Sequence, residues 1–183
     1  MTPGAAHPGA PGPGPPPAQP DPTRGSGAEP PRPADSGPSP RFAIAVARFY
    51  DELADRLVAG ARAAFEEAGS PVADEDVVEV PGAYELPMAA KLLAETGHYA
   101  GVACLGAVIR GETDHYDWVC GSAAQGIQDV QLLTGIPTAF GVLTVDEYEQ
   151  ALERSDAQDG KRDSGRHAAE AVLALARIAA TCR

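Results

Sequence analysis

Four short apolar runs spaced between residues 41 and 144, each followed by a segment with helical periodicity, leave few architectures open to this chain. The first, Arg41-Phe42-Ala43-Ile44-Ala45-Val46-Ala47, lacks the clean polar alternation that one wet face would impose, so it reads as a strand covered on both sides. Runs at 76–80, 99–109 and 138–144 come after it. Between them, Leu53, Leu57, Val58, Ala61, Ala64, Phe65 and Ala68 fall at helical spacing over 51–69, and helices are expected over 83–95 and 115–134. Asp146 is placed to cap a helix reaching about residue 154, and 168–180 is a closing helix rich in Ala, Leu and Ile. Regular alternation of this kind predicts an α/β fold: a three-layer αβα sandwich around a mainly parallel, flavodoxin-like sheet.

In such sheets the ligand crevice lies beyond the carboxyl ends of the strands, which directs attention to the residues just after each run. After the third, the chain breaks at Gly111 and opens a helical pattern through Glu112-Thr113-Asp114-His115. A strand feeding directly into a helix leaves free backbone N–H groups beside the positive end of the helix, a natural seat for an anion. His115 stands within a turn of that seat and is the side chain best suited to moving protons near neutral pH. Position alone makes it only a candidate, because strand-to-helix loops with Gly and Thr occur throughout α/β proteins. Three other segments stop at the same edge: Arg48-Phe49-Tyr50, Pro81-Gly82-Ala83-Tyr84-Glu85, and Thr144 with the helix after it. Aromatic rings, a carboxylate, an imidazole and free amides therefore converge on a pocket suited to a flat polar ring with an anionic companion.

Composition narrows the surroundings. Of the eighteen prolines, only Pro71, Pro81, Pro87 and Pro137 lie beyond residue 40, and 1–40 holds almost no large apolar side chain. Such a segment cannot bury enough surface to offset its conformational entropy, so 1–40 is expected to be a disordered Pro/Gly/Ala-rich tail ahead of one domain at 41–183. It has neither the basic start nor the apolar centre of a signal peptide, no run reaches membrane-spanning length, and the cytosol is the expected compartment. Cys104, Cys120 and Cys182 have the spacing of neither a zinc site nor a disulfide framework. A formal charge of −12 disfavours nucleic acid and anionic membranes as partners, and requires any anionic substrate to meet a local cluster of positive charge.

The residues resemble the 6,7-dimethyl-8-ribityllumazine synthase family. The likeness lies in Ala47-Arg48-Phe49, Val80-Pro81-Gly82-Ala83-Tyr84-Glu85-Leu86-Pro87, Gly106-Ala107-Val108-Ile109-Arg110-Gly111-Glu112-Thr113 with His115-Tyr116-Asp117, Phe140-Gly141-Val142-Leu143-Thr144, and Glu149-Gln150-Ala151-Leu152-Glu153-Arg154. These run in the family's order and spacing and cover essentially all of 41–183; the tail has no counterpart in the shared core. The resemblance implies a transferase of riboflavin biosynthesis that condenses 5-amino-6-(D-ribitylamino)uracil with 3,4-dihydroxy-2-butanone 4-phosphate, releasing phosphate and water, with no metal and no organic cofactor. By matching position, Phe49 stacks on the pyrimidine, Ala83, Tyr84 and Glu85 hold its ribityl chain and polar edge, and Ala107, Val108 and Ile109 offer main-chain groups to the ring. Glu112 and Thr113 bind the phosphate, and His115 carries the proton. A neighbouring subunit supplies Phe140 to the ring and Arg154 to the phosphate, so the resemblance also implies a homo-oligomer, a pentamer that in some members closes into an icosahedral shell.

Three positions depart from the family pattern. Tyr50 stands where Asn is frequent, Glu112 where small residues are common, and Asp163-Ser164-Gly165 where an Asn-Lys-Gly sequence is usual. Lys161, Arg162 and Arg166 are the cations near enough in sequence to replace the missing lysine. These departures leave open a second reading, a paralogue that binds a flavin or lumazine without turnover. A flavodoxin-like signalling or electron-transfer module is suggested by the β/α alternation alone, without the acidic cluster and Ser/Thr-rich phosphate loop it needs. A metal hydrolase built on Asp114, His115 and Asp117 fails because near-adjacent residues on one helix cannot all converge on an ion.

Overall fold

The computed structural model describes residues 40–155 and 163–182. The tail assigned to 1–40 falls outside the described residues except for Pro40, as does 156–162 of the loop expected at 155–165.

The described chain forms four parallel strands, β1 (Ala43–Ala47), β2 (Val77–Val80), β3 (Val102–Ile109) and β4 (Thr138–Val145), in the order β2-β1-β3-β4. Five α-helices accompany them among the described residues: α1 (Asp51–Glu67), α2 (Leu86–Glu95), α3 (His115–Thr134), α4 (Tyr148–Glu153) and α5 (Ser164–Thr181). Because side chains alternate along a strand, the central strands split into two cores. Ile44, Val46, Ala103, Leu105 and Ala107 pack toward α1 and α5 with Leu53, Leu57, Phe65 and Val172. Ala43, Ala45, Ala47, Val102 and Cys104 pack toward α2 and α3 with Leu86, Ala90, Ala123 and Ile127. Helices thus cover both faces of a parallel sheet, as the buried-type strands predict.

Close approach at two glycines fixes the layers. A Cβ at Gly165 would overlap the Leu57 carbonyl, so the start of α5 crosses directly on the backbone of α1. At Gly106 a Cβ would meet the Ala47 methyl at 3.0 Å, which brings the carboxyl ends of β1 and β3 together beneath the start of α2.

Several boundaries differ from the sequence expectation. The helix expected from Ala83 is a 3₁₀ turn (Ala83–Glu85) before α2 begins at Leu86, since Pro87 has no N–H to give and suits a helix's first turn. The third strand starts at Val102 rather than Tyr99, because Gly97 turns the chain at φ 71° and the Tyr99 hydroxyl is drawn aside to Asp76 at 2.9 Å. Asp146 does not cap α4. Glu147 does, in a reciprocal capping box with Gln150, while the Asp146 carboxylate accepts from Arg110 Nε at 2.9 Å. The closing helix begins four residues earlier than expected, at Ser164, where the buried Asp163 side chain accepts from the Arg166 backbone N–H at 3.0 Å.

Candidate active site at the strand ends

The strand order reverses between β1 and β3: the chain leaves β1 for β2 on one side and returns to β3 on the other. The crevice belongs at this switch point, and a cleft of about 440 Å³ lies there. Its walls are Phe49 and Tyr50 after β1, residues 81–85 after β2, Ala107, Val108 and Ile109 at the end of β3, and His115 with Val119 on α3.

The turn after β2 is shaped by its own polar groups. Glu85 N–H donates to the Gly82 carbonyl at 3.3 Å, and the Glu85 carboxylate folds back to 3.3 Å from where a Cβ on Gly82 would stand. Ala83 is buried there, whereas Tyr84 is 61% exposed at the rim. Phe49 is 71% exposed, an apolar ring left open to solvent on a wall of the cleft. Just before it, Arg48 holds three elements together: Nε and Nη2 donate to Glu79 Oε1 at 2.8 and 2.6 Å, Nη1 pairs with Asp55, and its N–H donates to the Val80 carbonyl at 2.9 Å. These carboxylates, Asp55 first and then Glu79, raise the guanidinium's pKa above its ordinary value and keep the cation occupied.

His115 is the first residue of α3 and is exposed. Asp114 precedes it without a side-chain cap, so the N–H groups of the first turn have no side-chain acceptor from that position. Glu112 and Thr113 lie in the exposed loop between Ile109 and α3, next to the cleft but outside its lining. Arg110 opens that loop and is itself engaged: Nε on Asp146, the guanidinium at 3.5 Å from Asp117, and its plane 4.0 Å from the centre of the Tyr116 ring. No Arg or Lys lines the cleft among the described residues. A phosphate placed there meets helix amides and an imidazole, with the loop's own arginine turned to two carboxylates.

The structure brings together Phe49, Ala83, Tyr84, Glu85, Ala107, Val108, Ile109 and His115. Two candidates stand elsewhere in the chain. Phe140, on β4, opens into a shallow recess with Ser164 and His167. Arg154 comes directly after α4, exposed, with Nη1 donating to the Gln150 carbonyl at 2.9 Å. Of the cations considered in place of the missing lysine, Arg166 grips Glu67 through both terminal nitrogens at 2.8 and 2.9 Å, and Lys161 and Arg162 lie outside the described residues. Sequence reasoning passed over Val119, which helical spacing from His115 could have supplied, and placed Tyr50 in a strand-end segment at this edge without giving it a binding role.

Sequence comparison relates the chain to known proteins. The sequence model of the 6,7-dimethyl-8-ribityllumazine synthase family matches residues 39–180. The chain is 50% identical over 135 residues to the 6,7-dimethyl-8-ribityllumazine synthase of Deinococcus radiodurans, covering 74% of this chain and 84% of that one. Against the enzyme of the same name from Kineococcus radiotolerans it is 49% identical over 149 residues, 81% of this chain and 89% of the relative. The Deinococcus deserti enzyme gives 49% over 135 residues, 74% and 83% of the two chains. With the family's sequence pattern running through its sheet and its cleft, and half its residues shared with these proteins over most of its length, the chain belongs to the 6,7-dimethyl-8-ribityllumazine synthase family.

Proposed function

We propose that the cleft binds 5-amino-6-(D-ribitylamino)uracil against Phe49 and condenses it with 3,4-dihydroxy-2-butanone 4-phosphate to give 6,7-dimethyl-8-ribityllumazine. The observation that carries this reading is the meeting of an open aromatic ring, Phe49, and a helix-start imidazole, His115, across one switch-point cleft. The pyrimidine stacks on Phe49, Ala83, Tyr84 and Glu85 take its ribityl chain and polar edge, and the main chain at Ala107, Val108 and Ile109 meets the ring. The phosphate lies at the loop amides of Glu112 and Thr113 and the Thr113 hydroxyl, with the Glu112 carboxylate turned outward.

The substrate amine adds to the ketone and loses water as an imine forms, phosphate is eliminated, and the ribityl-bearing nitrogen closes the ring onto the new carbonyl, whose oxygen leaves as a second water. Holding the two reactants in register contributes most of the acceleration, up to about 7–11 kcal/mol in favourable intramolecular cases. Proton transfer by His115 adds about 10²–10⁴-fold.

The site is completed by a second copy of the chain, which supplies Phe140 to the other face of the ring and Arg154 to the phosphate. Two features support this division. The cleft lacks a lining cation of its own among the described residues, and a guanidinium grips a phosphate dianion far better than helix amides alone. The outward faces of α2 and α3 leave Met88, Leu92, Leu132, Leu133 at 83% and Trp118 at 74% exposed, large apolar side chains that a subunit contact would cover. The assembly is a pentamer, open to closure into a shell, and its three unpaired cysteines suit a reducing cytosol. No described helix is long and apolar enough to cross a membrane.

Mixing the two substrates with the protein and following lumazine absorbance tests the reaction: product is expected at a rate proportional to protein. Binding of the pyrimidine without product would return the chain to the non-catalytic paralogue.

A further inference from the structure

We propose that Tyr50 and Tyr148 form an aromatic prop behind Phe49, so that α4 sets the attitude of the ring-binding wall; the proposal rests on the reading of the cleft given above. Phe49 carries a large apolar ring into solvent, and an exposed ring held by nothing samples several rotamers, each of which must be given up when a planar ligand stacks on it. Its neighbour limits that freedom. The Tyr50 ring meets Phe49 edge-on, with centroids 4.9 Å apart and planes at 69°. Tyr148, at the start of α4, meets Tyr50 in the same manner at 6.2 Å and 61°.

The far end of this row is anchored. The Tyr148 hydroxyl donates to Glu52 Oε2 at 3.1 Å, and Glu52 Oε1 in turn accepts from Arg56 at 3.0 and 3.2 Å. Glu147 and Gln150 close both sides of the capping box around the first turn of α4, which fixes the backbone from which the Tyr148 ring projects. Burial, and then the Glu52 carboxylate, raise the Tyr148 hydroxyl's pKa, so it stays a donor at neutral pH.

Residue 50 also occupies the N-cap of α1, in extended backbone at φ −124° and ψ 93°, and makes no side-chain capping bond. Asn, Asp, Ser or Thr would satisfy an orphan N–H at that position. A tyrosine there serves packing instead of capping, and its packing partners are Phe49 on one side and Tyr148 on the other. Tyr148 itself is absent from the cleft lining, which makes it a positioning residue that acts through Tyr50.

The test is calorimetric titration of 5-amino-6-(D-ribitylamino)uracil into the intact protein, with steady-state kinetics alongside. Removing an edge-on aromatic contact in Tyr148→Leu is expected to weaken binding about 2- to 10-fold, raising KM with little change in kcat. Tyr148→Phe, which keeps the ring, is expected to stay within about twofold of wild type. In a Phe49→Ala background, Tyr148→Leu is expected to have no further effect. Tyr148→Met serves the same comparison if the leucine variant does not fold. Equal losses in both backgrounds, or no loss in the Phe49 protein, overturn the prop while leaving the reading of the cleft intact. A wild-type protein that neither binds the pyrimidine nor forms lumazine overturns that reading, and the prop with it.

Discussion

Arg110 Nε lies 2.9 Å from Asp146 Oδ1, and this pair withdraws the one arginine of the loop before His115 from any ligand in the cleft. Asp117 and the Tyr116 ring complete its surroundings. In the proposed binding mode, the phosphate-bearing substrate takes its cation from outside that loop. Replacing Arg154 with Ala is expected to raise KM for the butanone phosphate about 10- to 100-fold, the size of a lost charge-assisted contact, with a much smaller effect on the pyrimidine. Arg110→Ala should change the same KM by less than about threefold, because its charge is already matched by carboxylates. Steady-state kinetics with each substrate varied in turn separates the two.

His115→Ala should be impaired without being dead. Proton transfer is worth about 10²–10⁴ in rate, whereas the larger positioning contribution belongs to residues the substitution leaves in place. Single-turnover formation of lumazine measures the drop in the chemical step. A variant as fast as wild type would remove His115 from the proton-carrying role.

Gly165 is where α5 crosses α1, against the Leu57 carbonyl, and Gly60 faces the buried Asp163 carboxylate in the same seam. A methyl group at either position has nowhere to go. Gly165→Ala, which meets rigid backbone, should cost about 1–3 kcal/mol or more, and Gly121→Ala, with open space around it, should be neutral or stabilising by up to about 1 kcal/mol. Denaturant midpoints of the two variants provide the comparison.

The Cys104 thiol is wholly buried in β3, and burial pushes it up to about 12 from an ordinary 9.0. Between these values the unfolded chain gives up the proton and the folded one keeps it. Its contribution to stability is therefore complete below about pH 9 and declines by about 1.4 kcal/mol per pH unit up to about pH 12. Tyr99 acts in the same sense, raised by burial and by Asp76. Unfolding curves at pH 8, 9.5 and 10.5 should show the decline, and Cys104→Ala should make it shallower while lowering stability at pH 8 through the lost packing.

Much of this could be read from local residues. The strands announced themselves because Ile44, Val46, Leu105 and their neighbours show no polar alternation, and the stops at Gly69, Gly97 and Gly135 are the described residues with positive φ. The cleft was legible for the same reason: its walls are largely the residues at and just beyond the ends of three strands. Adjacent carboxylates defeated local reasoning at Asp146 and Glu147, where a distant arginine took one and left the cap to the other. Contacts between remote positions left no trace in local spacing. Arg166 meets Glu67 and Tyr148 meets Tyr50 only once α5 and α4 have packed beside α1. Position matching to the family named Phe140 and Arg154, which no periodicity would have singled out.

The shared cleft is tested most directly by mixing defects. Arg154→Ala protein and Phe49→Ala/His115→Ala protein, each impaired alone when the butanone phosphate is held well below the raised KM of the Arg154 variant, are unfolded together and co-assembled, and lumazine formation is compared with the sum of the separately refolded variants. If one protomer supplies Phe49 and His115 while its neighbour supplies Arg154, mixed assemblies contain intact sites and activity rises well above that sum. Activity no greater than the sum, in assemblies shown by mass to contain both chains, would contradict a site built from two protomers.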